Sequence, residues 1–108
     1  DPALRGELWS ISVRDHYVDV RTSRGQASLL LRLSDAIAEA APADGAQVHR
    51  SHWVAWGAVT TVCREGGKLV LQLKSGQQIP VSRNHRGKVD ARFPPVPGLK
   101  ADAQRGAA

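Results

Sequence analysis

Between Leu8 and Val13 apolar and polar side chains alternate, with Trp9, Ile11 and Val13 on one face of an extended chain and Ser10 and Ser12 on the other. That period of two predicts a strand. Asp15 and His16 make a short turn, and Tyr17 to Thr22 is a second strand with Val18 and Val20 facing inward. Arg24 and Gly25 supply the next reversal before a third strand over Ala27 to Leu31, so this segment reads as a three-stranded meander. The period then changes. Leu33, Ile37 and Ala40 or Ala41 fall on one stripe at helical spacing, with Ser34 placed to cap the helix, Asp35 in its first turn, and Pro42 and Gly45 ending it.

Gln47 to Ala55 mixes polar and bulky residues without a clean period, which suggests a strand followed by an exposed loop or turn. Val59 to Arg64, Lys68 to Leu73 and Gln78 to Val81 are three further strands, joined by the tight-turn sequences Glu65-Gly66-Gly67 and Lys74-Ser75-Gly76. Ser82 can cap a short helix running to Arg92, although Gly87 weakens it. Beyond Phe93 the run Pro94-Pro95-Val96-Pro97-Gly98 cannot continue regular structure. The chain therefore divides into a linker over 1–6, one mainly β domain over 7–93 with one or two short helices, and a flexible tail over 94–108.

A chain of 108 residues, 42% hydrophobic and 23% charged, fits a single globular domain and excludes global disorder. No apolar run approaches the roughly 20 residues that span a bilayer. The lone Cys63 cannot form an intramolecular disulfide, which fits a reducing, cytoplasmic setting. Asp1 stands where a complete chain has Met, and Asp1 to Gly6 lacks a signal-peptide layout, so the chain reads as part of something longer. The net charge of +5 rests on eleven Arg and four Lys, and arginine's planar fork suits phosphate and guanine edges.

Enzymatic signatures are absent. His49 and His52 have no carboxylate or thiol nearby in sequence to complete a metal shell, and Ser51 has no nucleophile elbow around it. Gly66-Gly67 lacks the Lys-Ser or Lys-Thr of a phosphate loop. No catalytic residue, metal or cofactor is expected. The basic residues say more, because they gather at reversals: Arg14 and His16 flank the first turn, His49, Arg50 and His52 the central one, and Arg83, Asn84, Arg86 and Lys88 the last element. In His49-Arg50-Ser51 and Ser82-Arg83-Asn84 a side chain able to read a base stands beside a hydroxyl able to hold a phosphate.

Tyr17-Val18 with Thr22 and Gly25, a Leu33-led helix, Val48-His49-Arg50-Ser51-x-x-Val54, then Leu73-x-x-Gly76-x-x-Ile79-Pro80-Val81-Ser82-Arg83 together resemble the LytTR DNA-binding domain, the output module of LytR/AgrA-type bacterial transcription regulators. The likeness runs from Leu8 to Phe93. It implies elongated antiparallel sheets whose loops enter successive major grooves of double-stranded DNA, with domains paired on tandem direct repeats. Carried onto this chain, it implies base contacts from His16, Arg50 and Arg83, and backbone contacts from Arg14, His49, Ser51, Asn84 and Arg86. It also implies a response regulator, as in two-component systems, with a receiver, another sensor or a membrane tether as the N-terminal region. Where the family often has Phe-x-Arg and, after the Val, Asn, this chain has Gly45, Gln47 and Ala55. Two other classes stand beside this reading: a β-rich RNA or single-strand binder with Trp53, Trp56 and Tyr17 on an exposed face, and a degenerate protein-interaction domain. Core packing is the expectation for both tryptophans.

Overall fold

The structure, a computed structural model, describes residues 6–40, 43–94 and 103–105. Among these residues, two antiparallel sheets and two short helices make up the fold. The first sheet contains β1 (Leu8–Arg14), β2 (Tyr17–Thr22), β3 (Gly25–Leu29), β4 (Gly45–His49) and β5 (His52–Ala55), in the order β3-β2-β1-β5-β4. The second contains β6 (Val59–Glu65), β7 (Lys68–Leu73), β8 (Gln78–Pro80) and β9 (Ala103–Arg105), in the order β8-β7-β6-β9. Helix α1 (Leu33–Glu39) packs on the first sheet, and α2 (Arg86–Arg92) follows a 3-10 turn, Arg83–His85. The molecule is elongated, 45 × 26 × 22 Å.

The expected meander is present, with Ile11 opposite Val20 and Val18 opposite Leu29. One hydrophobic cluster joins Ile11, Val18, Val20, Ala36 and Trp53, with Leu33, Ile37 and Ala40 of α1 packed against it. A second holds Val48, Val54, Trp56, Val62, Leu71, Ile79, Val89 and Phe93. Strand β5 serves both. Trp53 and Ala55 face the first cluster and Val54 the second, as successive side chains of a strand must. This double burial explains why Gln47 to Ala55 shows no clean alternation; the expected strand and turn are present, and the second strand, β5, is the addition. The segment is two strands joined at Arg50 and Ser51, with a bulge between Gln47 and His49.

Other expectations shift in detail. Ser10, assigned to a polar face, is fully buried and donates to Gln77 Oε1 at 2.9 Å. Helix α1 starts at Leu33 with Arg32 as its N-cap, so Ser34 lies inside the helix. The apolar anchor Leu33, rather than the hydroxyl, sets where the helix starts. Gly66 and Gly67, both at positive φ, form the two-residue turn that pairs Glu65 with Lys68. Within the segment expected as a tail, β9 at 103–105 pairs with β6. The rest of the proposed tail beyond Pro94, and residues 1–5 of the linker, lie outside the described residues.

Gly45 pairs with Ala55 at the start of β4. A Cβ there would overlap the Val54 carbonyl oxygen and stand 2.6 Å from Trp53 Cζ2. Backbone cannot give way as a flexible side chain can. Gly45→Ala is therefore expected to destabilise the domain by about 1–3 kcal/mol, as overpacking of a tight site does. A fall in the urea midpoint at unchanged slope checks it.

Candidate nucleic-acid interface

Two backbone hydrogen bonds bring three reversals to one region. The Val13 amide donates to the Ser51 carbonyl at 2.9 Å, tying the end of β1 and its Asp15–His16 turn to the β4–β5 turn. The Ser82 amide donates to the Val48 carbonyl, also at 2.9 Å, tying the 3-10 turn to β4. His16, Arg50 and Arg83 thus sit on neighbouring turns, each exposed, although far apart in sequence. Asp15, at φ 55°, provides the left-handed step that closes the first turn. It is the only carboxylate on these three turns.

Among the described residues, no hydrogen bond or ion pair engages the side chains of His16, Arg50, Arg83 or Asn84. Two of the other expected contacts are occupied within the protein. Arg14 Nε donates to Asp19 Oδ2 at 2.9 Å and its Nη2 to Ser28 Oγ at 3.3 Å, and the same Asp19 contact raises the guanidinium pKa. Arg86 Nη1 donates to the Gly67 carbonyl at 2.8 Å. A groove of about 280 Å³ between the β6–β7 turn and the 3-10 turn is lined by Gly67, Lys68, Arg83 and Arg86 among others. Lys88 Nζ donates to the Gln47 carbonyl at 3.0 Å, holding α2 against β4.

Sequence reasoning placed His52 at the central reversal but named neither it nor His85 as a contact, and the structure brings both into the site. His49 Nδ1 accepts the Ser51 amide at 3.1 Å, so a neutral His49 carries its proton on Nε2. Its ring lies 5.2 Å from that of His52. His52 Nδ1 is 2.8 Å from Ser12 Oγ, and His85 Nδ1 is 2.6 Å from Ser82 Oγ. Ser82 thus occupies the cap position expected of it, but its hydroxyl holds an imidazole instead of a backbone amide. The Ser82-x-x-His85 spacing was visible in the sequence, whereas the pairing of Ser12 with His52 depends on the register of β1 and β5. Among the described residues, no group of three His, Cys, Asp or Glu is arranged to hold a metal ion.

Burial, and next the neighbouring His49, hold the His52 pKa below the ordinary histidine value. Hydrogen bonds from Arg14 and Ser28 hold the Asp19 carboxyl below the usual carboxylate range. A histidine depressed on folding binds fewer protons in the native state, so stability is full above about pH 6.5 and declines as the pH falls below it. Asp19 contributes stability that is lost as the pH falls below the usual carboxylate range. Thermal melts are expected to show a first fall in Tm between pH 7 and pH 5.5 and a second below pH 4. His52→Gln should flatten the first step.

The family comparison fits this geometry. The family described as the LytTr DNA-binding domain matches residues 6–93. The chain belongs to the LytTR family. The fold of this LytTR domain is also similar to the LytTr DNA-binding domain of a Bacillus cereus protein assigned as a methyl-accepting/DNA response regulator. That likeness has a TM-score of 0.69 at 14% identity, over 79% of each chain. No curated protein matches. The family is a DNA-binding one rather than a catalytic one, and no helix among the described residues of this LytTR domain is long and apolar enough to cross a membrane.

Proposed function

We propose that this domain binds double-stranded DNA sequence-specifically, as the effector part of a bacterial transcriptional regulator. The observation that carries the reading is the convergence of Arg50 and Arg83, both exposed and unengaged among the described residues, on turns joined through Val48 and Ser82. A guanidinium free of internal partners can offer its fork to guanine O6 and N7 in the major groove. His16 reads a base from the first turn, while His49, Ser51 and Asn84 hold phosphates. Arg14 and Arg86 must exchange Asp19 and the Gly67 carbonyl for phosphate, so they contribute less.

Pairs of such domains would occupy tandem direct repeats in the cytoplasm, under a sensor or receiver outside this chain. The single-strand alternative loses support because Trp53 and Trp56 are 3% and 7% exposed, which leaves Tyr17 alone of its three aromatics open to stack on a base. Selection of bound duplexes from a random pool at moderate salt tests the reading. An enriched motif supports it. Failure to enrich any motif, or stronger competition by single strands, rejects it.

A further inference from the structure

Three of the four histidines, His49, His52 and His85, stand where the β4–β5 turn meets the 3-10 turn, and their hydrogen bonds differ in one chemical respect. His49 Nδ1 accepts a backbone amide of Ser51, and an amide can only donate. A proton on Nδ1 would break that bond. His52 and His85 instead rest Nδ1 on serine hydroxyls, Ser12 and Ser82. A hydroxyl both donates and accepts. When the ring is neutral the hydroxyl can donate to Nδ1, and when the ring is charged Nδ1–H can donate to the hydroxyl. Either protonation state keeps its hydrogen bond.

We infer that His52 and His85 are proton-uptake sites coupled to DNA binding, so that the domain holds duplex more tightly as the pH falls through the histidine range. The inference rests on the DNA-binding reading above.

The surroundings supply the coupling. The charged groups facing the pair are cations: Lys88 from α2 acts on His85, and Arg50 and Arg83 are carried by the turns beside the rings. Of the carboxylates on adjoining elements, Asp19 of β2 is paired with Arg14 and Asp90 of α2 with Arg64, while Asp15 on the β1–β2 turn acts on Arg14; none of the three acts on His52 or His85. In the free protein, protonation therefore adds positive charge to a positive surface. His85 as well as His52 is held below the ordinary histidine value, by desolvation and then by Lys88 and His49. Phosphates laid across these turns reverse that balance and raise both pKa values. By linkage, a proton that binds the complex better than the free protein strengthens the complex.

Affinity of the full chain for a duplex taken from the random-pool selection, measured by fluorescence anisotropy at constant ionic strength between pH 8.0 and 5.5, reads the effect. Each pKa unit gained by one ring on binding strengthens affinity by up to about tenfold once the pH lies below both values. The side-chain resonances of the histidines, followed by NMR in free and bound protein, assign the uptake, with His52 and His85 titrating higher in the complex. Coincident free and bound midpoints for His52 and His85 would overturn the inference. So would an acid gain that persists undiminished in a folded His52→Gln/His85→Gln variant. Absence of duplex binding at every pH rejects the DNA-binding reading itself and this inference with it, whereas tight but pH-independent binding rejects this inference alone.

Discussion

Removing both free guanidiniums, Arg50→Ala with Arg83→Ala, is expected to abolish most sequence discrimination while leaving the fold intact. Both side chains are exposed and neither takes part in a hydrogen bond or ion pair among the described residues, so truncation removes nothing that supports the domain. A bidentate arginine–guanine pair contributes about 1–3 kcal/mol of discrimination. Each single change should thus relax preference at one base position by roughly tenfold to a hundredfold. The two turns are bonded through Ser82 and Val48, so the double variant can deviate from the sum of the singles. Base-substituted duplexes in an equilibrium titration separate the roles. A base reader loses discrimination at its own position. A phosphate contact weakens all sequences alike and lowers the salt slope by about one. Arg24→Ala, on the β2–β3 turn, serves as the control and should change neither.

The elements most legible in the sequence are those whose burial follows a simple period. The meander β1–β2–β3 and the Gly66-Gly67 hairpin arise from alternation and from turn residues acting locally. Strand β5 was illegible because sheets and helix cover both its faces, which erases the polar half of the alternation. β9 carries no apolar alternation and is defined by its pairing with β6. The site shows the same division. Turns could be found from Asp15, His16 and Ser82, and with them the cations they carry. Their convergence could not, since it depends on amide–carbonyl bonds between residues 38 and 34 positions apart, Val13 with Ser51 and Ser82 with Val48. Nor could the internal partners of Arg14 and Arg86, which separate engaged cations from free ones.

The largest loss of stability is expected from Trp56→Ala. Trp56 begins the 3-10 turn Trp56–Ala58 that links the two sheets, and only 7% of it is exposed. Its ring meets Phe93 edge-to-face, with centroids 5.7 Å apart and planes at 81°. Phe93 is the C-cap of α2, and Val89 of the same helix lies in the same cluster as Val48 and Val54. Truncation would open a cavity between the helix and both sheets. Buried Trp→Ala changes cost about 3–5 kcal/mol, and about 4–8 °C of Tm accompanies each kcal/mol in a domain near this size. A Tm drop of more than ten degrees is therefore expected in calorimetry. Trp56→Phe keeps an aromatic edge for Phe93 and should recover much of the loss. Because α2 continues from the turn that carries Arg83, Trp56→Ala should also weaken duplex binding at temperatures where the domain is still folded, although Trp56 itself is buried away from solvent. If the truncated protein binds duplex with unchanged discrimination, Arg83 is positioned by the Ser82–Val48 bond alone and the aromatic pair serves only stability.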